Sequence, residues 1–355
     1  MKVSRLRTQA VEIPFVPPIG MGGTAFRSVA CIVAFLETDQ GLIGEGLVYT
    51  SDVKRLRLID DMVRSFEPLV VGADIRLSGQ LLTRAWADLR HVGHAGFPIV
   101  GFAAIDGALL DLRAKAVGAS VARLLGAAQM AVPVYNSTDL WVSASLDELQ
   151  RAAAAHVAKG YRGVKLREDV ERVRAVREAV GPAISVMADF NQRLTVPEAV
   201  RLGRALQEFN LAWLEEPVVA HDHRGEAAVA AALDTPIASG ESAYTGREAF
   251  EMLERGAVDV LMIDLQRMGG PTEFLKAARL AESYDVPLTS HLFHEMSLPL
   301  LAACPNAIYL EYMPWFEPLY AERLTLDGNG HAVVPDGPGW GFTLDHAAIR
   351  RLAVR

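Results

Sequence analysis

The stretch VMADFNQRLTVPEAVRLGRALQEFNLAWLEEP, Val186–Pro217, carries a strand, a helix and a second strand within 32 residues. Each apolar run ends on an acid: Ile184–Ala188 runs into Asp189, and Leu211–Leu214 into Glu215. Working outward in both directions, the same unit recurs. Apolar runs at Val132–Asn136, Gly163–Leu166, Pro236–Ala238, Val258–Ile263, Val286–Leu288 and Ile308–Leu310 join the first two, spaced about 22–30 residues apart with helical segments after them. Eight such runs fit a (β/α)₈-type barrel, whose units average roughly 30 residues. Spacing alone also admits a doubly wound α/β sheet.

The flanks do not follow this repeat. Ahead of it, Val29–Glu37 and Leu42–Tyr49 read as strands joined by a hairpin at Asp39-Gln40-Gly41, followed by helical patterns over Arg55–Val70, Leu77–Leu89 and Ile99–Ala116. Asp106, Asp111 and Lys115 in the last of these read as structural or solvated charges. After about Met313 the chain is rich in Gly and Pro and is expected to return to the N-terminal piece. The expected division is an α+β capping domain over 1–125, a barrel over 126–320 and a C-terminal segment over 321–355 that completes the cap.

Composition narrows the classes. With 355 residues, 51% hydrophobic and 22% charged, the chain can bury a large core, which excludes global disorder. A net charge of −8 argues against nucleic acid or an anionic membrane as partner. Two cysteines, Cys31 and Cys304, are too few for a disulfide framework and suit a reducing cytoplasm. The N-terminus lacks the apolar stretch of a signal peptide, and Val29–Leu36 is too short to span a bilayer.

In a barrel the reactive side chains stand at the C-terminal strand ends. Taken in order, those ends carry Lys165 and Arg167, Asp189, Glu215, Glu241, Asp264, His291 and Glu311. One acid after a strand is ordinarily a helix cap or a solvated charge. Asp189, Glu215 and Glu241, each 26 residues after the last, are harder to read that way. Converging carboxylates repel, so they call for a cation between them, and all-oxygen ligation points to Mg²⁺, with Mn²⁺ as the alternative. Lys165 and Arg167 are two apart on one strand and face the same way. His291, with Asp264 on the preceding strand, has the makings of a general base whose tautomer an acid fixes. His156, His331 and His346 read as core or surface histidines.

These residues carry a resemblance. Val186–Pro217 is similar throughout to the signature of the mandelate racemase/muconate lactonizing enzyme family, a branch of the enolase superfamily. Ala103–Gly126, with IDGALLDLRAK, resembles the family's first signature, although Gly101 departs from the usual Ala. ASGES, MIDLQRMGG, TSHLFHE and YLEYM resemble its mandelate racemase subgroup. The resemblance spans essentially the whole chain. It implies a modified TIM barrel, (β/α)₇β, with an α+β cap, and a homo-oligomer built from dimers, up to an octamer. It implies Asp189, Glu215 and Glu241 as Mg²⁺ ligands with Asn191 and Glu216 beside them, and Asp264–His291 as the dyad holding the base. It further implies Lys165 as the first lysine of a Lys-x-Lys motif, Glu311 as a protonated hydrogen-bond donor to the substrate carboxylate, and Ser137 as a contact to that carboxylate. Tyr49 and the loop Ile19–Thr24, including Met21, would form the part of the cap that selects a small carboxylate substrate.

The implied chemistry is proton removal beside a carboxylate, through an enediolate whose charge Mg²⁺, Lys165 and Glu311 stabilise. Arg167 departs from the pattern, because the racemase has a second lysine there as base for the opposite face. Arginine is effectively always protonated, so the site has one good base. That favours dehydration of a hydroxy acid or acid sugar to a 2-keto acid, with Arg167 binding substrate oxygens. Racemisation or epimerisation of a 2-hydroxy acid is the alternative. A Schiff-base aldolase using Lys165 would leave the phased carboxylates unexplained, and a binding scaffold would leave the whole set unexplained. Arg267, where the racemase has lysine, reads as a more remote charge.

Overall fold

The structure, a computed structural model, describes residues 1–21, 24–167 and 169–354. The unbroken apolar run Val29–Leu36 lies in the middle strand of a three-stranded antiparallel sheet. Its strands are β1 (Val3–Met21), β2 (Thr24–Thr38) and β3 (Ile43–Thr50), in that order. The run does not alternate with polar residues because both faces are covered. Ala30, Ile32, Ala34 and Leu36 pack with the cap helices, and Cys31, Val33 and Phe35 join the cluster that extends into the barrel. The expected hairpin is present, with Gly41 in the left-handed region at φ 82° and Thr38 N bonded to Leu42 O at 2.9 Å.

β1 is a strand that the sequence reading does not contain. Pro14, Pro17 and Pro18 interrupt its pattern. The sheet tolerates them because β1 is an edge strand, with β2 as its one strand partner among the described residues and a short bridge at Val11 to the C-terminal Ala353, and its register shifts between Pro14 and Ile19. The helix Phe97–Ala116 is apolar nearly all round and lies against β3 at backbone distance. A Cβ on Gly44 or Gly46 would collide with the carbonyl oxygens of Ala108 and Ala104.

Eight parallel strands follow: β4 (Ala131–Asn136), β5 (Gly163–Arg167), β6 (Ser185–Asp189), β7 (Trp213–Glu215), β8 (Ile237–Ser239), β9 (Val260–Asp264), β10 (Leu288–His291) and β11 (Ala307–Tyr312). Each bonds to the next in chain order, and β11 pairs with β4, so the sheet is a closed barrel rather than a doubly wound sheet. Strand parity sets what points inward. Tyr135, Met187, Trp213, Val260 and Met262 plug the interior. Two residues beyond three of them, on the same face, stand Asp189, Glu215 and Asp264 at the mouth. Val164, Leu166, Val186, Ala188 and Leu214, of opposite parity, pack outward under the helices.

The C-terminal segment differs from expectation in one respect. Before returning to the cap it adds β12 (His331–Val333) antiparallel to β4, outside the closed barrel. It then reaches the cap, where Trp340 Nε1 donates to Glu45 O at 2.9 Å and Glu12 N to Leu352 O at 3.0 Å. Asp106 and Asp111 are buried ties: Asp106 accepts from Thr272 N at 2.7 Å, and Asp111 from Glu45 N at 2.8 Å and Trp340 N at 3.0 Å. Among the described residues no helix is long and apolar enough to cross a membrane.

Candidate active site

Register assembles the site. Arg167 pairs with Asp189, Asp189 with Glu215, and Asp264 with His291, so residues far apart in sequence arrive side by side at the barrel mouth. They surround a cavity of about 190 Å³ beneath the cap, whose walls include Lys165, Arg167, Asp189, Asn191, Glu241, Arg267, His291, Glu311 and, from β3, Tyr49. A larger cavity of about 590 Å³ shares the Met313 and Trp315 walls but contains none of the acidic strand ends. The candidate residues therefore belong to the smaller one.

The dyad is formed. His291 Nδ1 lies 2.7 Å from Asp264 Oδ2, and Asp264 Oδ1 accepts from Gln266 N at 3.0 Å and Arg267 N at 2.9 Å. One carboxylate thus caps the turn after β9 and orients the imidazole. His291 Nε2 is 3.4 Å from Glu241 Oε2. Burial works against the imidazolium, but Glu241, the Asp264 hydrogen bond and Glu311 outweigh it and raise His291 to about 9.

Opposite, Lys165 is fully buried among acids, with Nζ 2.5 Å from Glu215 Oε1, 2.8 Å from Glu311 Oε1 and 3.8 Å from Asp189 Oδ2. Burial disfavours its charge, yet Glu215 and Glu311 hold it well above the ordinary lysine value. Burial raises Glu311, but Lys165, His291 and the Leu292 N–H at 2.8 Å hold its carboxyl below the usual range. That N–H is aimed by a left-handed turn at Leu292 (φ 51°) and Phe293 (φ 48°). Glu215 and Glu216 are the acids pushed up, mainly by burial and by the carboxylates around them.

Arg167 lies with Cζ 4.8 Å from the Trp141 ring centroid and Nη2 3.6 Å from Asp189 Oδ2. Its Nε and Nη1 are buried and have no hydrogen-bond partner among the described residues. Five N–H donors in a rigid fork, the three on Nε and Nη1 unspent beside a cavity, suit an oxygen-rich ligand.

Not every expected residue lines the cavity. Glu215 is fully buried, its oxygens taken by Lys165 and by Trp213 Nε1 at 3.1 Å. Ser137, just past the end of β4, is buried with its hydroxyl unpartnered among the described residues, and it does not line the cavity. Met21 ends β1, but its side chain, like Gly22 and Gly23 of the Ile19–Thr24 loop, falls outside the described residues. Arg267 is nearer than expected: its Nη1 donates to Glu241 O at 3.0 Å and lies 3.4 Å from Glu241 Oε1. Trp315 and Trp141 had no sequence signal beyond being aromatic.

Among the described residues no three His, Cys, Asp or Glu side chains form a closed ligand cluster, since Lys165 leans on Glu215 and Arg267 on Glu241. The donor set nevertheless fits a divalent cation. Asp189, Glu215, Glu216, Glu241, Asp264 and Glu311 are all buried, against the permanent cations Lys165, Arg167 and Arg267, and Glu216 Oε1 is buried without a partner among the described residues. A hard cation with oxygen ligands is the chemistry that relieves such an excess.

Comparison with known proteins agrees with this geometry. Residues 4–126 match the family described as mandelate racemase/muconate lactonizing enzyme, N-terminal domain, and residues 148–348 match the enolase C-terminal domain-like family. An L-talarate/galactarate dehydratase of Salmonella typhimurium is 35% identical over 330 residues, covering 91% of this chain and 82% of that protein. A 3,6-anhydro-alpha-L-galactonate cycloisomerase of Streptomyces coelicolor is 30% identical over 99% of both chains. The crystal structure of L-talarate dehydratase from Polaromonas sp. JS666, complexed with Mg and L-glucarate, superposes with a TM-score of 0.94 at 33% identity, covering 100% of this chain and 98% of that one.

Proposed function

Because the chain belongs to the mandelate racemase/muconate lactonizing enzyme family of the enolase superfamily, we propose that it dehydrates a hydroxy acid or acid sugar to a 2-keto acid. The observation that carries this reading is a single base. His291, oriented by Asp264, faces the cavity from one side, while the other side presents Arg167 and a lysine locked in its charged form. Inversion at carbon needs a base on each face, whereas elimination needs one. The relatives named above, two of them dehydratases of sugar diacids, support the same class.

Mg²⁺ held by Asp189, Glu215 and Glu241 would supply a Lewis acid for the substrate carboxylate and offset the Glu241 charge that favours imidazolium at His291. Neutral His291 then takes the α-proton through Nε2, and Asp264 steadies the imidazolium that results. Lys165 contributes fixed positive charge where the enediolate forms, and Glu311 keeps that lysine in place. Arg167 binds hydroxyl or carboxylate oxygens with Nε and Nη1 and remains a cation throughout. As the β-hydroxyl leaves, His291 returns the proton, releasing water, and the enol rearranges to the 2-keto acid. Tyr49 and Asn191 bound the space open to the substrate. Cys31 and Cys304 are buried free thiols, which supports a cytoplasmic enzyme, and the family resemblance supports a dimer-based assembly.

The test is a panel of aldonic and aldaric acids offered to the Mg²⁺-loaded enzyme, with 2-keto acid trapped as its semicarbazone. Keto-acid formation that disappears on thorough removal of divalent metal is the expected result. Equal turnover without metal would refute the ligand set.

A further inference from the structure

β3 is the open edge of the cap sheet, since only β2 pairs with it. At Tyr49, opposite Cys31, the backbone N–H and C=O turn from β2 to Gln266, in the turn after β9. An unpaired buried strand edge is costly. Here one side chain satisfies it. Gln266, buried and 217 positions away in sequence, accepts from Tyr49 N through Oε1 at 2.7 Å and donates to Tyr49 O through Nε2 at 3.2 Å. The carboxamide thus serves as one residue of an absent fourth strand.

The other end of Gln266 belongs to the base. Its own N–H is held by Asp264 Oδ1 at 3.0 Å, and Asp264 Oδ2 holds His291 Nδ1 at 2.7 Å. Tyr49, which Gln266 grips, walls the reaction cavity and packs edge-on against Phe293 at 5.4 Å, two residues from His291. Nothing in the proposed reaction uses Gln266.

We propose that Gln266 is a positioning residue that docks the cap's Tyr49 onto the turn bearing the Asp264–His291 dyad, so that one clasp sets how the cap closes over the base. It acts on substrate fit rather than on proton transfer. When the clasp opens, Tyr49 leaves the cavity wall, while His291 keeps its hydrogen bond to Asp264. The kinetic part of this inference rests on the proposed dehydration; the clasp itself does not.

Two variants of the full-length, Mg²⁺-loaded protein test it. Gln266→Met keeps the volume and removes both polar atoms. With two hydrogen bonds gone and the competent cap less populated, KM rises about tenfold or more while kcat changes far less. Hydrogen exchange at the peptide containing Tyr49 accelerates. Gln266→Glu offers rescue, because a protonated carboxyl can accept from Tyr49 N–H and donate to Tyr49 C=O as the amide does. Its KM, relative to wild type at each pH, is near unity at low pH and climbs as the introduced carboxyl ionises. The titratable groups facing that position are Asp264, Arg267, Tyr49 and Tyr244. Unchanged exchange at Tyr49 in Gln266→Met, or a fall in kcat alone with KM intact, would overturn the proposal. If wild type turns over no acid while Gln266→Met exposes Tyr49, the dehydration reading fails and the clasp stands.

Discussion

Asp264→Asn separates base orientation from folding more sharply than any other change at the site. The wild-type carboxylate makes three contacts at once, with Gln266 N, Arg267 N and His291 Nδ1 at 3.0, 2.9 and 2.7 Å. An amide has one oxygen and one NH₂. If the oxygen stays on the two backbone N–H groups, the NH₂ meets His291 Nδ1, which must then accept. The ring proton moves to Nε2, the atom 3.4 Å from Glu241 that faces the cavity, and no lone pair remains there to take an α-proton. Loss of the correct tautomer costs on the order of 10⁴ in kcat, equivalent to about 5.5 kcal/mol of barrier. If the amide flips instead, two buried N–H groups face a donor, so the first orientation is favoured. In it, all three charge-assisted bonds become neutral ones, a loss of about 1–3 kcal/mol in stability. The assay pairs keto-acid formation and α-hydrogen exchange in D₂O with denaturant unfolding of the same preparation. A folded Asp264→Asn protein that retains a tenth of wild-type exchange would refute the assignment of His291 as a base oriented by Asp264.

Lys165→Met leaves Glu215 and Glu311 buried without their shared cation, which should abolish turnover and destabilise the fold by about 3–5 kcal/mol in urea unfolding, part of it recovered by Mg²⁺. A stability equal to wild type in metal-free buffer would contradict the charge balance described here. Gly46→Ala forces a methyl group into the Ala104 carbonyl and should cost about 1–3 kcal/mol or more by separating the helix Phe97–Ala116 from β3, seen as a lowered Tm. Glu295 is fully buried, and burial foremost raises it to about 8 from 4.5. Because the folded carboxyl is the weaker acid, its contribution is intact below about 4.5 and stability is lost as pH rises from there to about 8. Glu295→Gln removes that penalty, so its Tm advantage over wild type should grow across this window; a constant difference would show that the buried carboxyl does not titrate there.

Much of the barrel was legible because its strands carry their information locally. An apolar run that ends on a charge two residues past an inward-facing Met or Trp announces both the strand and its mouth, as at Met187–Asp189 and Trp213–Glu215. β1 was illegible for the opposite reason: three prolines mask an edge strand whose identity comes from pairing with β2. At the site, the acidic strand ends and the His291–Asp264 pair converge as their order suggested. What sequence could not give was which charge answers which. Glu311 was read only toward the substrate carboxylate, and its contact with Lys165 comes from barrel closure between β11 and β4. Arg267 was read as remote, yet its short helix turns it onto Glu241. Gln266 lies inside the motif MIDLQRMGG, but no role could be read for it there, because its meaning lies in a strand edge 217 residues earlier.

The account stands on a one-base elimination, and the fate of the α-hydrogen tests it most directly. The Mg²⁺-loaded enzyme is incubated in D₂O with the acid it consumes, and both residual substrate and product are examined by NMR. The expected result is a 2-keto acid formed with loss of water, with any deuterium in recovered substrate found only in the original configuration at the α-carbon. Deuterated substrate of inverted configuration, without keto acid, would contradict it by requiring a second base on the face that Arg167 occupies.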